Sequence, residues 1–301
     1  MRYFKILVAA ILTLAILAFL FYKIDIKNIQ STFQASNKAL LALASLMLFF
    51  SLSIVAFRWK IILGLLGLKI SFAQAAKIYL ANYPLAKITP INSGDAIRAF
   101  YLKDKISPSK QLGGIFTERL FDVAVLSILS LIGAISLKLN PIIWINVAIL
   151  SGIIIFFIFA PRVKINLGKK WNDRLENFFC FFKIIRQQPK SFILMAFLSL
   201  ASWFTVLIHT KLAFLAFNTN VSFLSIVAIQ PIITFVGLLP FTLSGIGQRE
   251  PAMIVLYSKF SSAPTSLAVG LVYSFVTQIL IALLCLPFLY VFWKKKIKNN
   301  L

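Results

Sequence analysis

Only eight carboxylates occur in this chain of 301 residues, and four of them stand close to an arginine in apolar surroundings. Asp95 precedes Arg98 by three residues, Glu118 adjoins Arg119, Asp122 follows Arg119 by three, and Glu250 adjoins Arg249. The other four, Asp25, Asp104, Asp173 and Glu176, fall where aqueous loops are expected. A charge in hydrocarbon is costly unless it is paired, so each of the four pairs must be compensated or used. On a helix, Glu118 and Asp122 share a face and repel each other unless a cation lies between them. Arg98 or Arg249 is expected to supply that cation. Both arginines end a repeated device: Pro90, Ser93, Gly94, Arg98 in "ITPINSGDAIRAFYL" (88–102) and Pro240, Ser244, Gly245, Arg249 in "LPFTLSGIGQREPAMIVLY" (239–257). Gly94, Gly245 and Gly247 let backbone approach closely. A helix starting near Gln248 would point its N–H groups at the turn, and beside an arginine that makes an anion site. A carboxylate nearby could take an ammonium or carry a proton. The chemistry expected is recognition of a charged or phosphate-bearing headgroup, with no bond made or broken.

The elements that must position these residues are membrane helices. The sequence is 60% hydrophobic, against about 45–50% for soluble domains, and its mean hydropathy is +0.92. Residues 6–22, 39–57, 120–137, 141–160, 191–208 and 267–293 are nearly free of charge. Each approaches or exceeds the ~17–25 residues that cross the hydrocarbon core. The fold class is therefore all-α and polytopic: six full spans, with two regions left over. The first, 61–102, carries a weakly polar helix that Pro84 and Pro90 are expected to break. The second, 222–260, carries an apolar helix that Pro231 and Pro240 are expected to break. Each reads as a re-entrant hairpin, in from one face and back out, and the two enter from opposite faces. Halves of 1–140 and 141–301 would then form an inverted repeat, with the interrupted segments marking the binding site.

The net charge of +23 follows this threading. With both termini cytoplasmic, the N-terminus, residues 58–69, 98–110 and 161–190 and the tail at 294–298 hold 21 of the 31 Lys and Arg, and the outer segments six. That asymmetry orients the chain in the plasma (inner) membrane. It also makes nucleic acid an unneeded explanation, since no recognition motif accompanies the charge. The largest aqueous segment expected is the basic loop 161–190. The N-terminus reads as a retained span, because no small-x-small cleavage site follows it. Cys180 and Cys285 are placed apart, without metal-ligand spacing, and His209 is expected at the outer interface. Neither a metal nor a cofactor is indicated.

Three blocks resemble those of the lysylphosphatidylglycerol synthase transmembrane-region family, a flippase-like membrane domain. "NYPLAKITPINSGDAIRAFYL" carries Asn82, Pro90, Gly94 and Arg98. "GGIFTERLFDVAVL" carries Glu118, Arg119 and Asp122, and "GLLPFTLSGIGQREPAMIVLY" carries Pro240, Gly245, Gly247 and Glu250. The resemblance implies a domain that moves lipid headgroups between leaflets. In bifunctional members a soluble aminoacyl-transferase domain follows; here the sequence ends at Leu301, so no enzyme activity is expected. The partners implied are membrane lipids, anionic or polyprenol-linked, and a separate lipid-modifying enzyme.

The working expectation is that the hairpins meet at depth and Arg98 and Arg249 engage a lipid phosphate. Glu118, Asp122 and Glu250 then balance those arginines, with Asp95 and Arg119 beside them. Two other readings stand beside it. A scaffold for envelope lipid synthesis would need the fold but not the movement. A polyprenol-linked glycosyltransferase would normally carry an acidic metal site such as Asp-x-Asp, which the sequence lacks.

Overall fold

The computed structural model describes residues 2–136, 138–159, 168–239, 241–242 and 244–298, and among them every regular element is helical. Among the described residues five helices are long and apolar enough to cross a membrane: α3 (Lys38–Leu65), α5 (Pro108–Ser136), α6 (Asn140–Phe159), α8 (Pro189–Ala216) and a composite running Ala263–Phe292. Helix α1 (Arg2–Ile24) has 23 residues and precedes the short α2 (Ile26–Gln34). Start signals are read directly from sequence. Asn37 caps α3 by accepting from the Leu40 N–H, and Ser71 forms a reciprocal capping box with Gln74 at the start of α4 (Phe72–Lys87).

The two expected hairpins are present, with corrected interiors. Helix α4 has 16 residues, about 24 Å and short of the ~30 Å hydrocarbon core. It returns through a 3₁₀ segment, Pro90–Phe100. The second pairs α9 (Phe223–Leu238), also 16 residues, with α10 (Arg249–Leu256). Neither Pro84 nor Pro231 breaks its helix: both lie inside continuous α-helix. Neighbouring helices pack around these segments and can re-satisfy the carbonyl each proline frees. The Ser93–Gly94–Asp95 turn is part of the 3₁₀ segment, and Pro240 lies outside the described residues.

Segment 161–190 is not the loop expected. Residues 160–167 lie outside the described ones, and α7 (Lys169–Gln187) follows, burying Phe181, Phe182 and Ile185. Its closeness to α5 depends on Gly113, where a Cβ would stand 2.1 Å from the Phe178 carbonyl oxygen. Charged residues on the other face of α7 explain why hydropathy alone reads it as loop.

The bundle's interior is organised by α3, which packs along α8, and by α5, which touches α6, α7, α8 and α9. Gly133 brings α5 onto α9, since a Cβ there would lie 2.0 Å from the Ala228 Cα. Small residues at such contacts let membrane helices approach closely. Helix α6 presents Trp144, Ile145, Ile154 and Ile155 outward; its one buried side chain, Asn146, donates to Ser130 Oγ of α5 at 2.9 Å. His209 is a correction. It is buried rather than interfacial, with Nδ1 2.9 Å from the Ala44 carbonyl of α3. Cys180 and Cys285 are both free.

The last span is a composite. Helix α11 (Ala263–Ser274) passes into a π-helical turn, Phe275–Leu280, and continues as α12 (Ile281–Lys298). Such turns leave backbone groups available to other partners. Here the Thr277 carbonyl accepts from the Tyr83 hydroxyl of α4 at 2.7 Å. The tips of the two hairpins also touch: Ser244 Oγ donates to the Lys87 carbonyl at 2.6 Å, and Gln278 Nε2 donates to the Ser244 carbonyl at 3.2 Å.

Candidate functional site

Six charged side chains close into a ring of alternating sign. Arg58 of α3 reaches Glu118 at 2.7 Å, and Glu118 accepts from Arg98 of the 3₁₀ segment at 2.5 Å. Arg98 lies 3.4 Å from Asp95, Asp95 pairs with Arg119, and Arg119 reaches Asp122 at 3.2 Å. Asp122 closes the ring on Arg58 through two bonds of 2.6 and 3.1 Å. Three cations and three anions balance, which is what lets the group sit inside an apolar bundle. Glu118 stands ten residues, about 15 Å, along α5 from its start at Pro108. Ser199 of α8 bonds both Arg58 and Asp122, and Asn82 Nδ2 reaches the Asp95 carboxylate at 3.3 Å. The Arg98 guanidinium also lies over the Trp59 ring at 4.5 Å, a contact that strengthens where water is excluded.

The cation between Glu118 and Asp122 is therefore Arg58, not Arg98 or Arg249. Arg98 does bind Glu118, as expected, but it is wholly enclosed and cannot also meet a lipid phosphate. Of the six, only Arg119 is substantially exposed, with 46% of its side chain accessible.

The second hairpin is built differently. Ser244, Gly245 and Gly247 all adopt positive φ, and the two glycines do so at +88° without steric cost. Glycine makes room for Arg249: a Cβ on Gly237 would lie 2.1 Å from its Nε, and one on Gly245 would lie 2.9 Å from its Cζ. The Arg249 side chain is buried against the Tyr273 ring, 5.4 Å from the centroid. Among the described residues no carboxylate pairs with it, and its buried Nε and Nη1 make no hydrogen bond.

Glu250 does not pair with its neighbour, which corrects the expected Arg249–Glu250 couple. Its carboxylate accepts from the Gly247 N–H and from the Ser274 hydroxyl, each at 2.6 Å, and is fully buried against α11. Consecutive helical residues point about 100° apart, so adjacency in sequence separates these two side chains. Glu250 holds the glycine turn; Arg249 is left without an anion.

A cavity of about 180 Å³ connects the two halves of this arrangement. Arg119 and Asp122 line it from the ring, Arg249 and Lys87 from the hairpins, and Thr277 and Gln278 from the π-helical turn. Tyr79, Tyr83, Trp203 and Tyr273 add aromatic wall. Of the seven charged residues expected at the site, Arg119, Asp122 and Arg249 face this space. Arg98, Glu118 and Asp95 support it through the ring, and Glu250 supports it through the turn. Gly94 serves packing, because a Cβ there would stand 2.3 Å from the Leu85 carbonyl. Arg58 and Lys87 are additions that the sequence reading did not select. Among the described residues no group of three His, Cys, Asp or Glu side chains is placed to hold a metal ion.

The sequence matches the family described as Lysylphosphatidylglycerol synthase TM region over residues 5–285, which includes all three motif blocks. The chain belongs to this family. Its relatives include a UPF0104 membrane protein of Methanocaldococcus jannaschii, 25% identical over 91% of this chain and 90% of its own length. A second UPF0104 membrane protein from that organism is 32% identical over 56% of this chain and 76% of its own. One from Methanothermobacter thermautotrophicus is 21% identical, covering 79% and 80%. The family assignment and the five long apolar helices together make this a multi-pass membrane protein.

Proposed function

We propose that this protein moves a phosphate-bearing lipid between leaflets without chemical change to it. The observation that carries the proposal is Arg249: a buried guanidinium with no anionic partner among the described residues, lining a cavity where two short hairpins touch. An arginine offers a phosphate two parallel N–H bonds, and a bound phosphate would supply the missing counter-charge. Arg119, half exposed and already shared between Asp95 and Asp122, can turn part of its donor set toward the same ligand. The acyl chains would remain in the bilayer while the headgroup crosses through the cavity. Interrupted helices around a central site are the usual construction of membrane transporters.

The basic segments orient the protein with both termini cytoplasmic in the plasma membrane. No reacting group is required for this role, and the side chains facing the cavity suit binding rather than bond cleavage. The test uses purified protein in liposomes with a fluorescent phospholipid in both leaflets and dithionite outside. Wild type should expose well over half of the probe to bleaching, and folded Arg249→Gln should not. Bleaching that stops at half with wild type across anionic and zwitterionic probes, with and without an ion gradient, would refute lipid movement.

A further inference from the structure

We infer that the headgroup held in this cavity is net anionic, a phosphate carried without an ammonium group. The inference rests on the lipid-translocating reading and narrows it. It comes from what each charge facing the cavity is already doing.

The ring is neutral by itself, with three arginines against three carboxylates. Arg249 adds a positive charge to it across the cavity, where Lys87 also stands, so the lining has an excess of positive over negative groups. A zwitterionic or aminoacylated headgroup would bring an ammonium into that field and would need a carboxylate to receive it. Asp122 is the one carboxylate on the wall, and both of its oxygens are engaged. Its Oδ1 accepts from Arg58 at 2.6 Å and from Ser199 at 3.0 Å; its Oδ2 accepts from Arg58 at 3.1 Å and from Arg119 at 3.2 Å. Glu250 is turned away, held by Gly247 and Ser274. Aromatic rings are the other means of holding an ammonium, and three of the four on the wall already carry a cation: Lys87 lies over Tyr83 at 5.0 Å, Arg249 over Tyr273 at 5.4 Å and Arg98 over Tyr79 at 5.6 Å.

Donors are in the opposite condition. Arg249 keeps Nε and Nη1 unbonded although 94% of the residue is buried, counting from its 6% exposure. An unpaired guanidinium beside a fully committed carboxylate selects a ligand whose charged group accepts hydrogen bonds and does not donate them; the one open acceptor named on the wall, the Gln278 amide oxygen, is neutral and supplies no charge for an ammonium. A phosphate monoester or a phosphodiester with an uncharged substituent has that character, whereas an ammonium has the reverse.

The same chemistry exists in a lipid and in a free organic phosphate, so the experiment separates them. Purified protein in a neutral detergent is titrated with dihexanoyl phosphatidylglycerol, dihexanoyl phosphatidylethanolamine and glycerol 3-phosphate, with binding followed by calorimetry. Phosphatidylglycerol should bind about tenfold or more tightly than phosphatidylethanolamine, whose ammonium would stand unpaired beside the arginines. Arg249→Gln and, separately, Lys87→Gln should each weaken phosphatidylglycerol by about tenfold while eluting as folded, monodisperse protein. Equal affinity for the two lipids, or unchanged affinity in both folded variants, overturns the inference. Glycerol 3-phosphate binding as tightly as the lipid supports the anion site and overturns a lipid as its source. The two readings can fail separately. Selective binding without bleaching in liposomes would leave the anion site standing and remove the transport. Bleaching of ethanolamine and glycerol lipids at equal rates would do the opposite.

Discussion

Replacing either of two buried arginines by methionine should move stability in opposite directions, because their partners differ. Arg58 is fully buried and bonds Glu118, Asp122 and Ser199. Its removal takes one of two arginine partners from each of Glu118 and Asp122 and leaves the buried ring one positive charge short, and breaking a buried ion pair from one side costs about 3–5 kcal/mol. Arg249 is 6% exposed and has no carboxylate partner among the described residues. Placing an arginine in the centre of a membrane helix costs about 2.5–3.5 kcal/mol on insertion scales. The contact with Tyr273 returns about 0.5–2 kcal/mol, and methionine occupies much of the volume of the arginine stem. Arg249→Met should therefore gain about 0.5–3 kcal/mol in the absence of ligand, taking the difference of those terms.

The assay is an apparent melting temperature in one detergent, compared only between variants, because membrane proteins often unfold irreversibly. Arg58→Met should fall by many degrees, and Arg249→Met should rise by roughly 2–6 °C. Added dihexanoyl phosphatidylglycerol should raise wild type and leave Arg249→Met unmoved, as expected when a ligand binds only the folded state through that group. A fall in Arg249→Met comparable to that in Arg58→Met would show that the guanidinium is held by structural partners, and the reading of it as an open anion site would be refuted.

Gly237→Ala should abolish binding of dihexanoyl phosphatidylglycerol with little change in melting. The new Cβ lands 2.1 Å from Arg249 Nε and displaces the guanidinium, while alanine itself favours the helix by about 1 kcal/mol. Ser274→Ala should cost about 1–3 kcal/mol, seen as a lower melting temperature, because Glu250 loses one of its two donors while buried. A chemical cross-link between the hairpin tips tests their movement. Ile88→Cys with Ser244→Cys, in a background lacking Cys180 and Cys285, should stop bleaching in liposomes when bridged and recover on reduction; undiminished bleaching in the bridged form would exclude separation of the tips.

The fold was legible to the extent that hydrophobicity determines it. The six apolar runs correspond to α1, α3, α5, α6, α8 and the composite through α12, because in lipid the backbone has few alternatives to helix. What sequence misjudged were features that depend on neighbours. Pro84 and Pro231 read as breaks because an isolated helix loses a hydrogen bond there, yet both lie within intact helices. Arg58 read as a cytoplasmic positive charge because Lys60 and Lys69 follow it. Its signal was the apolar sequence on both sides, "SLSIVAF" before and "IILGLLGL" after, which places a charge in the body of a span. Lys87 gave a similar signal between Pro84 and Pro90. The π-helical turn at 275–280 had none, since no proline or glycine lies within it.

Arg98 and Arg249 occupy matching places in the repeated Ser-Gly device, but only one is neutralised. Every charged member of the ring, Arg58, Asp95, Arg98, Glu118, Arg119 and Asp122, comes from residues 1–140, and the second half adds only the hydroxyl of Ser199. Three separate elements, α3, the 3₁₀ segment and α5, are thereby tied together by opposed charges that are costly to separate in low dielectric. Among the described residues the hairpin carrying Arg249 has no ion pair: its α10 is held to α11 by the Ser274–Glu250 hydrogen bond, and its tip is joined to α4 by the Ser244–Lys87 hydrogen bond and to the π-helical turn by Gln278. Hydrogen bonds between neutral groups are worth about 1 kcal/mol net, far less than the ring. If the halves form an inverted repeat, they have diverged into unequal parts, a charge-locked frame and a hairpin that can yield. On that division the proposed anion would bind to the less firmly tied part, and the half-exposed Arg119 is where the frame would meet it.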